Sequence, residues 1–136
     1  MEGPCRSLVV VLVAIGFLSV CCSVDGGPDT NLIYKRCNKE EDVDETYFKF
    51  CLKPVIDNLS AQTADHGYNC YANSHIGNVP CYGHTVCNGG ISHDDCLSCL
   101  NKAIDDIDSE GCEWDIGVQI QLVDCRVRFE KYEFYE

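Results

Sequence analysis

The chain has 136 residues, 12 of them cysteine, and its 10 Lys and Arg against 22 Asp and Glu leave a net charge of −12 at pH 7. A domain this acidic is repelled by phosphate backbones and anionic bilayers, because affinity for both rests on clustered cations. Nucleic-acid binding and membrane insertion or lysis are therefore excluded, and solubility accounts for most of the acidity.

Residues 1–23 begin with a short head containing Arg6, followed by an uncharged apolar run from Ser7 to Val20. That run is too short for the roughly 20 residues that span a bilayer, and Cys21-Cys22-Ser23 offers small residues for cleavage, so a secretory signal peptide is predicted over 1–23. A lipoprotein site at Cys21 is disfavoured by the bulk of Val20. Cys5, Cys21 and Cys22 leave with the leader, and the remaining nine cysteines enter an oxidising compartment, where such density reads as a disulfide scaffold. The mature chain is expected to be secreted and extracellular, with a sequon at Asn58-Leu59-Ser60 open to glycosylation.

Past a flexible lead-in over 24–30, Leu32-Ile33-Tyr34 begins a short strand reaching Cys37. A charged loop follows from Lys39 to Glu45. Phe48, Leu52, Val55, Ile56 and Leu59 recur at helical spacing, with Pro54 either in the first turn or kinking the helix. Tyrosines and Asn-Ser and Gly-Asn turn signals from Gly67 to Cys87 predict a β-hairpin. Ser92-His-Asp-Asp95 has capping-box character, and Cys96, Leu100, Ala103, Ile104 and Ile107 then form one face of a second helix ending near Gly111. Val118, Ile120 and Leu122 alternate on one phase and Val123, Cys125, Val127 and Phe129 on the other, so a bulge or a break between two strands is expected at Leu122-Val123. The sum is an α+β fold, two helices against an antiparallel sheet.

The cysteines and histidines do not describe a metal site. Cys96-Leu-Ser-Cys99 stands alone, and His66, His75, His84 and His93 recur every nine residues without ligand-type spacing. Redox catalysis fits poorly, since Cys96 and Cys99 lie inside the predicted helix with no cationic neighbour. Asp106-Ile-Asp108-Ser-Glu110 imitates the start of a calcium loop, but the position that should carry the bidentate Glu is Gly117. No enzyme is expected. Cys51 has no His near it in sequence, and Ser92-His93 is an ordinary cap. No cofactor is implied.

Cys87-x8-Cys96-x2-Cys99, the early Cys37-Asn38, the late Cys112 and the ending Gln121-Leu-Val-Asp-Cys125-Arg-Val-Arg-Phe-Glu130 together resemble the ginkbilobin-type domain of land plants. This is domain of unknown function 26, found singly in secreted antifungal proteins and in pairs outside cysteine-rich receptor kinases. The resemblance spans residues 30–136 and implies a single domain with two helices packed on a five-stranded antiparallel sheet. It further implies the disulfides Cys37–Cys112, Cys87–Cys96 and Cys99–Cys125. Cys51, Cys70 and Cys81 are extra; Cys70 and Cys81 are expected to face each other across the hairpin, which leaves Cys51 odd.

Antifungal members of that family bind mannose through an Asn after the first cysteine, an Arg before the last strand motif and a Glu after the final cysteine. The matching positions here are Asn38, Gln119 and Glu130. Gln119 still donates a hydrogen bond but lacks the charged fork of Arg, which weakens that contact. Set against this, Asn38 can cap a turn, and Glu130 has Arg128 and Lys131 to pair with. The expected function is a secreted, apoplastic antifungal protein that binds mannan-type glycans of the fungal wall. The alternative is an extracellular module whose partner is a protein.

Overall fold

The computed structural model describes residues 26–38, 45–109 and 117–136, except the side chains of 45–47 and 108–109. The predicted signal peptide, the charged loop after Lys39 and Cys112 lie outside the described residues.

The elements run β1 (Leu32–Asn38), α1 (Glu45–Gln62), a short turn of 3-10 helix (Ala64–His66), β2 (Asn69–Ile76), β3 (Val79–Cys87), α2 (His93–Ser109), β4 (Gly117–Leu122) and β5 (Cys125–Glu130). The helix expected around Phe48 forms and runs through Pro54, which sits mid-helix. Its ring is exposed, so the helix carries the proline on its solvent-facing side. At the start of α2, Ser92 Oγ accepts a hydrogen bond from the Asp95 N–H at 3.1 Å, with Asp94 and Asp95 at the positive end of the helix dipole. The phase change at Leu122-Val123 proves to be a tight connection: β4 ends, Val123 lies 44% exposed, and β5 starts at Cys125.

All five strands pair antiparallel in the order β1-β4-β5-β3-β2. Both helices lie on one face, α1 against β2 and β3, α2 against β4 and β5. Phe48, Leu52, Val55 and Leu59 from α1, Leu100, Ala103 and Ile107 from α2, and Val118, Ile120, Leu122, Val127 and Phe129 from the sheet are fully or almost fully buried between them. At roughly 1.5 to 3 kcal/mol per large apolar side chain, this layer is the main favourable term of folding. Gly83 lets α1 approach closely, for a β-carbon there would stand 2.8 Å from both Leu59 Cδ1 and Val55 Cγ1.

Disulfides staple the layers together. Cys87–Cys96 joins β3 to α2, and Cys99–Cys125 joins α2 to β5. Cys37 is disulfide-bonded, and its expected partner Cys112 is outside the described residues. The third described bridge corrects the sequence reading: Cys81 is bonded to Cys51, with their α-carbons 6.0 Å apart, and among the described residues Cys70 is the free thiol, and it is buried. In the hairpin Cys70 lies opposite Thr85 and Cys81 opposite Ser74. Four residues of strand separate those positions by about 13 Å, beyond the reach of a disulfide, whereas α1 carries Cys51 directly over Cys81.

Candidate site on the open face of the sheet

Because side chains alternate along a strand, the residues between the core positions point to the face that carries no helix. Register arranges them in rows. Asn38, Gly117, Glu130 and Tyr82 form one row across β1, β4, β5 and β3. Arg36, Gln119, Arg128, His84 and, on β2, Tyr71 form the next. Gln121 and Arg126 stand side by side in a third.

The three residues expected to contact a sugar are therefore brought together. Asn38 is exposed at the end of β1, Gln119 is half-buried, and Glu130 is only 3% exposed. Arg128 Nε donates to Glu130 Oε1 at 3.1 Å, while Glu130 Oε2 is buried without a hydrogen-bond partner. Burial raises the Glu130 carboxyl above the ordinary carboxylate range, opposed chiefly by the hydrogen-bonded Arg128 guanidinium. Arg126 Nη2 donates to Gln119 Oε1 at 3.4 Å, so a neighbouring strand places a guanidinium next to the position where the family pattern has one. Asn58 is exposed on the outer side of α1.

The segment 131–136 folds back over this face. Phe134 packs under the Arg128 guanidinium, 4.1 Å from ring centroid to carbon, and is 8% exposed. Glu136 reaches Arg126, Arg128 and His84. Burial lowers the His84 pKa, the Glu136 carboxylate opposes that, and the two arginines reinforce it. From the sequence, Arg128 is expected only as an ion-pair partner of Glu130 and His84 is weighed only as a metal ligand, while Arg126 and Glu136 have no assigned role. The two-residue spacing of Arg126, Arg128 and Glu130 was the available signal, since it puts all three on one face.

No helix among the described residues is long and apolar enough to cross a membrane, and no cluster of metal-ligating side chains occurs among them. Fold and face together define a small disulfide-stapled α+β domain whose polar chemistry is displayed on an open sheet. Comparison with known proteins places it further: residues 36–132 match the salt stress response/antifungal family, and the chain belongs to that family. It is 33% identical to the antifungal protein ginkbilobin-like protein 1 of Picea sitchensis, over 93% of this chain and 92% of that protein. It is 31% identical to antifungal protein ginkbilobin-2 of Ginkgo biloba, over 78% of this chain and 80% of that one. The fold matches the tandem DUF26 ectodomain of the Arabidopsis thaliana cysteine-rich receptor-like protein PDLP8 with a TM-score of 0.64 at 22% identity, covering 77% of this chain and 50% of the tandem.

Proposed function

We propose that this chain is a secreted antifungal defence protein that binds mannose-type glycans of fungal walls, without catalysis, through Asn38, Gln119 and Glu130. The observation that carries the reading is the buried Glu130 Oε2, an acceptor without a partner beside exposed Asn38. Buried polar atoms are normally satisfied, so a small outward turn of the carboxylate that offers Oε2 to a sugar hydroxyl is favoured, while the Asn38 amide supplies both a donor and an acceptor to the neighbouring hydroxyl. The antifungal relatives support the defence role. The test is binding of the oxidised protein to α-mannan on a glycan array with Glu130→Ala as control; a mannan signal in the wild type that disappears in the variant is expected.

A second reading, an extracellular protein-interaction module without sugar binding, is favoured by one feature. Leu32 and Ile33 stand 53% and 58% exposed on the edge strand β1, which offers unpaired backbone groups to another chain. A wild type silent on mannan but retaining an extracellular protein partner would replace the first reading with this one.

A further inference from the structure

On the open face the strongest concentration of positive charge is filled by the chain itself. The Glu136 carboxylate lies 2.8 Å from Arg126 Nη2, 3.1 Å from Arg128 Nη1 and 3.7 Å from His84 Nδ1. The side chains that hold it are themselves held. His84 is stacked on Tyr71 at 3.9 Å and bonded through Nε2 to Asn69 Oδ1 at 2.7 Å. Arg128 is braced by Glu130 and by the Tyr132 hydroxyl. Arg126 Nε is buried with no partner, so this set has donor capacity beyond what Glu136 uses. Two converging guanidiniums match the planar geometry of a carboxylate, and His84, whose Nε2–H is given to Asn69, walls the site beside them.

Beside this cradle opens a groove of about 410 Å³, within the size range of small-ligand sites. Asn69, Asn88, Gln121 and Asp124 line it together with Val86, Val123 and the bridged Cys87 and Cys125, so polar edges and an apolar surface meet there. Gln121 spends its amide nitrogen on backbone carbonyls and Asn69 its oxygen on His84, which leaves an amide oxygen and an amide nitrogen for hydroxyls. A sugar ring fits both parts, its hydroxyls meeting the free amide groups and its C–H face lying on Val86 and Val123.

We infer that Arg126 and Arg128 form a carboxylate subsite for a hexuronic acid residue, walled by His84, with the sugar ring in the adjoining groove and the Glu136 side chain standing in for the ligand's carboxylate. Binding exchanges one carboxylate for another and lifts the segment 131–136, so the ion pairs on the arginines are conserved. The net charge of −12 opposes a long polyanion, and the ligand is accordingly a short oligomer or a chain end. The assignment uses a different ligand chemistry from the mannose reading and does not depend on it.

Calorimetric titration of the oxidised protein with trigalacturonate tests this. Glu136→Gln, a change outside the core, removes the internal competitor and is expected to tighten binding by about tenfold. Adding Arg126→Gln to that variant is expected to weaken binding at least about tenfold. The neutral methyl ester of the same trisaccharide should not bind. Addition of trigalacturonate to the wild type should shift the backbone amide resonances of Glu136 and Tyr71, a readout that does not rely on any variant folding. The assignment is overturned if Glu136→Gln binds no more tightly than the wild type, or if the methyl ester binds as well as the acid. Acetate competing as strongly per carboxylate would reveal an anion site with no sugar groove, and would also overturn it. Mannan bound without trigalacturonate would remove this assignment alone; trigalacturonate bound without mannan would remove the mannose reading alone.

Discussion

Glu130 Oε2 lies 2.2 Å from the point where a β-carbon on residue 117 would stand, so the buried carboxylate rests on Gly117 in a space only hydrogen can share. The Asn38 β-carbon closes the same space at 3.1 Å. Gly117→Ala is therefore expected to push the carboxylate away from Asn38. The obstacle is the end of a side chain rather than backbone, so the stability cost is small, about 1 kcal/mol. Mannan affinity should drop about tenfold or more. A variant with wild-type mannan affinity would show that this corner of the sheet does not contact the glycan.

The Glu130 carboxyl also gives the fold a pH signature. Burial raises its folded-state pKa above the ordinary value of 4.5, so just above that pH the folded protein holds a proton that the unfolded chain releases. Its contribution to stability is present at lower pH and is lost as pH rises through the folded pKa. Glu130→Gln removes the titration. The melting temperature of the variant relative to the wild type is expected to improve as pH is raised from 4.5, and a difference independent of pH would show that Glu130 is not buried as a carboxylate.

The two cysteines that exchange roles should behave oppositely. Cys51–Cys81 closes a separation of 30 residues, for which chain entropy predicts a loss of about 3 to 4 kcal/mol on Cys51→Ala. Cys70→Ala removes only a buried sulfur, at a cost of roughly 1 kcal/mol. Burial raises the Cys70 thiol pKa, which suppresses the reactive thiolate. Iodoacetamide should therefore label Cys70 only after unfolding without reductant, and peptide mapping should recover Cys51 linked to Cys81. Recovery of a Cys70–Cys81 peptide would refute the arrangement.

The family resemblance implies Cys87–Cys96 and Cys99–Cys125, but no local pattern encodes the pairing of Cys51 with Cys81. Alternation through Cys125-Arg-Val-Arg-Phe-Glu130 sets the strand phase, and it correctly separates Val127 and Phe129 in the core from Arg126 and Arg128 on the open face. Helical spacing from Phe48 to Leu59 likewise marks the buried side of α1. Which strand lies beneath Cys51 is decided by how α1 sits across the sheet, and no periodicity within the helix carries that information. Asn38, Gln119 and Glu130 could be named from the family resemblance, but their adjacency depends on β4 pairing with both β1 and β5. The Glu136 cradle was invisible for a related reason. It joins a residue outside any regular element to His84 and Tyr71 from the hairpin, and only the register of β3 on β5 puts them in one row with Arg128.

His84 offers a direct measurement on that row. The residue is 4% exposed, and burial is the largest influence on its pKa, lowering it from the ordinary 6.5. Arg126 and Arg128 act in the same direction, and the Glu136 carboxylate opposes them. Between the folded pKa and 6.5 the unfolded chain binds the extra proton, so the stability contributed by neutral His84 is complete above 6.5 and declines as pH falls. Imidazole resonances followed by NMR are expected to titrate with a midpoint below 6.5. Glu136→Gln removes the carboxylate that opposes this lowering while both arginines stay, so the midpoint should fall further. A midpoint at or above 6.5, or one that rises in Glu136→Gln, would mean that the imidazole is solvated and that segment 131–136 does not close over this face.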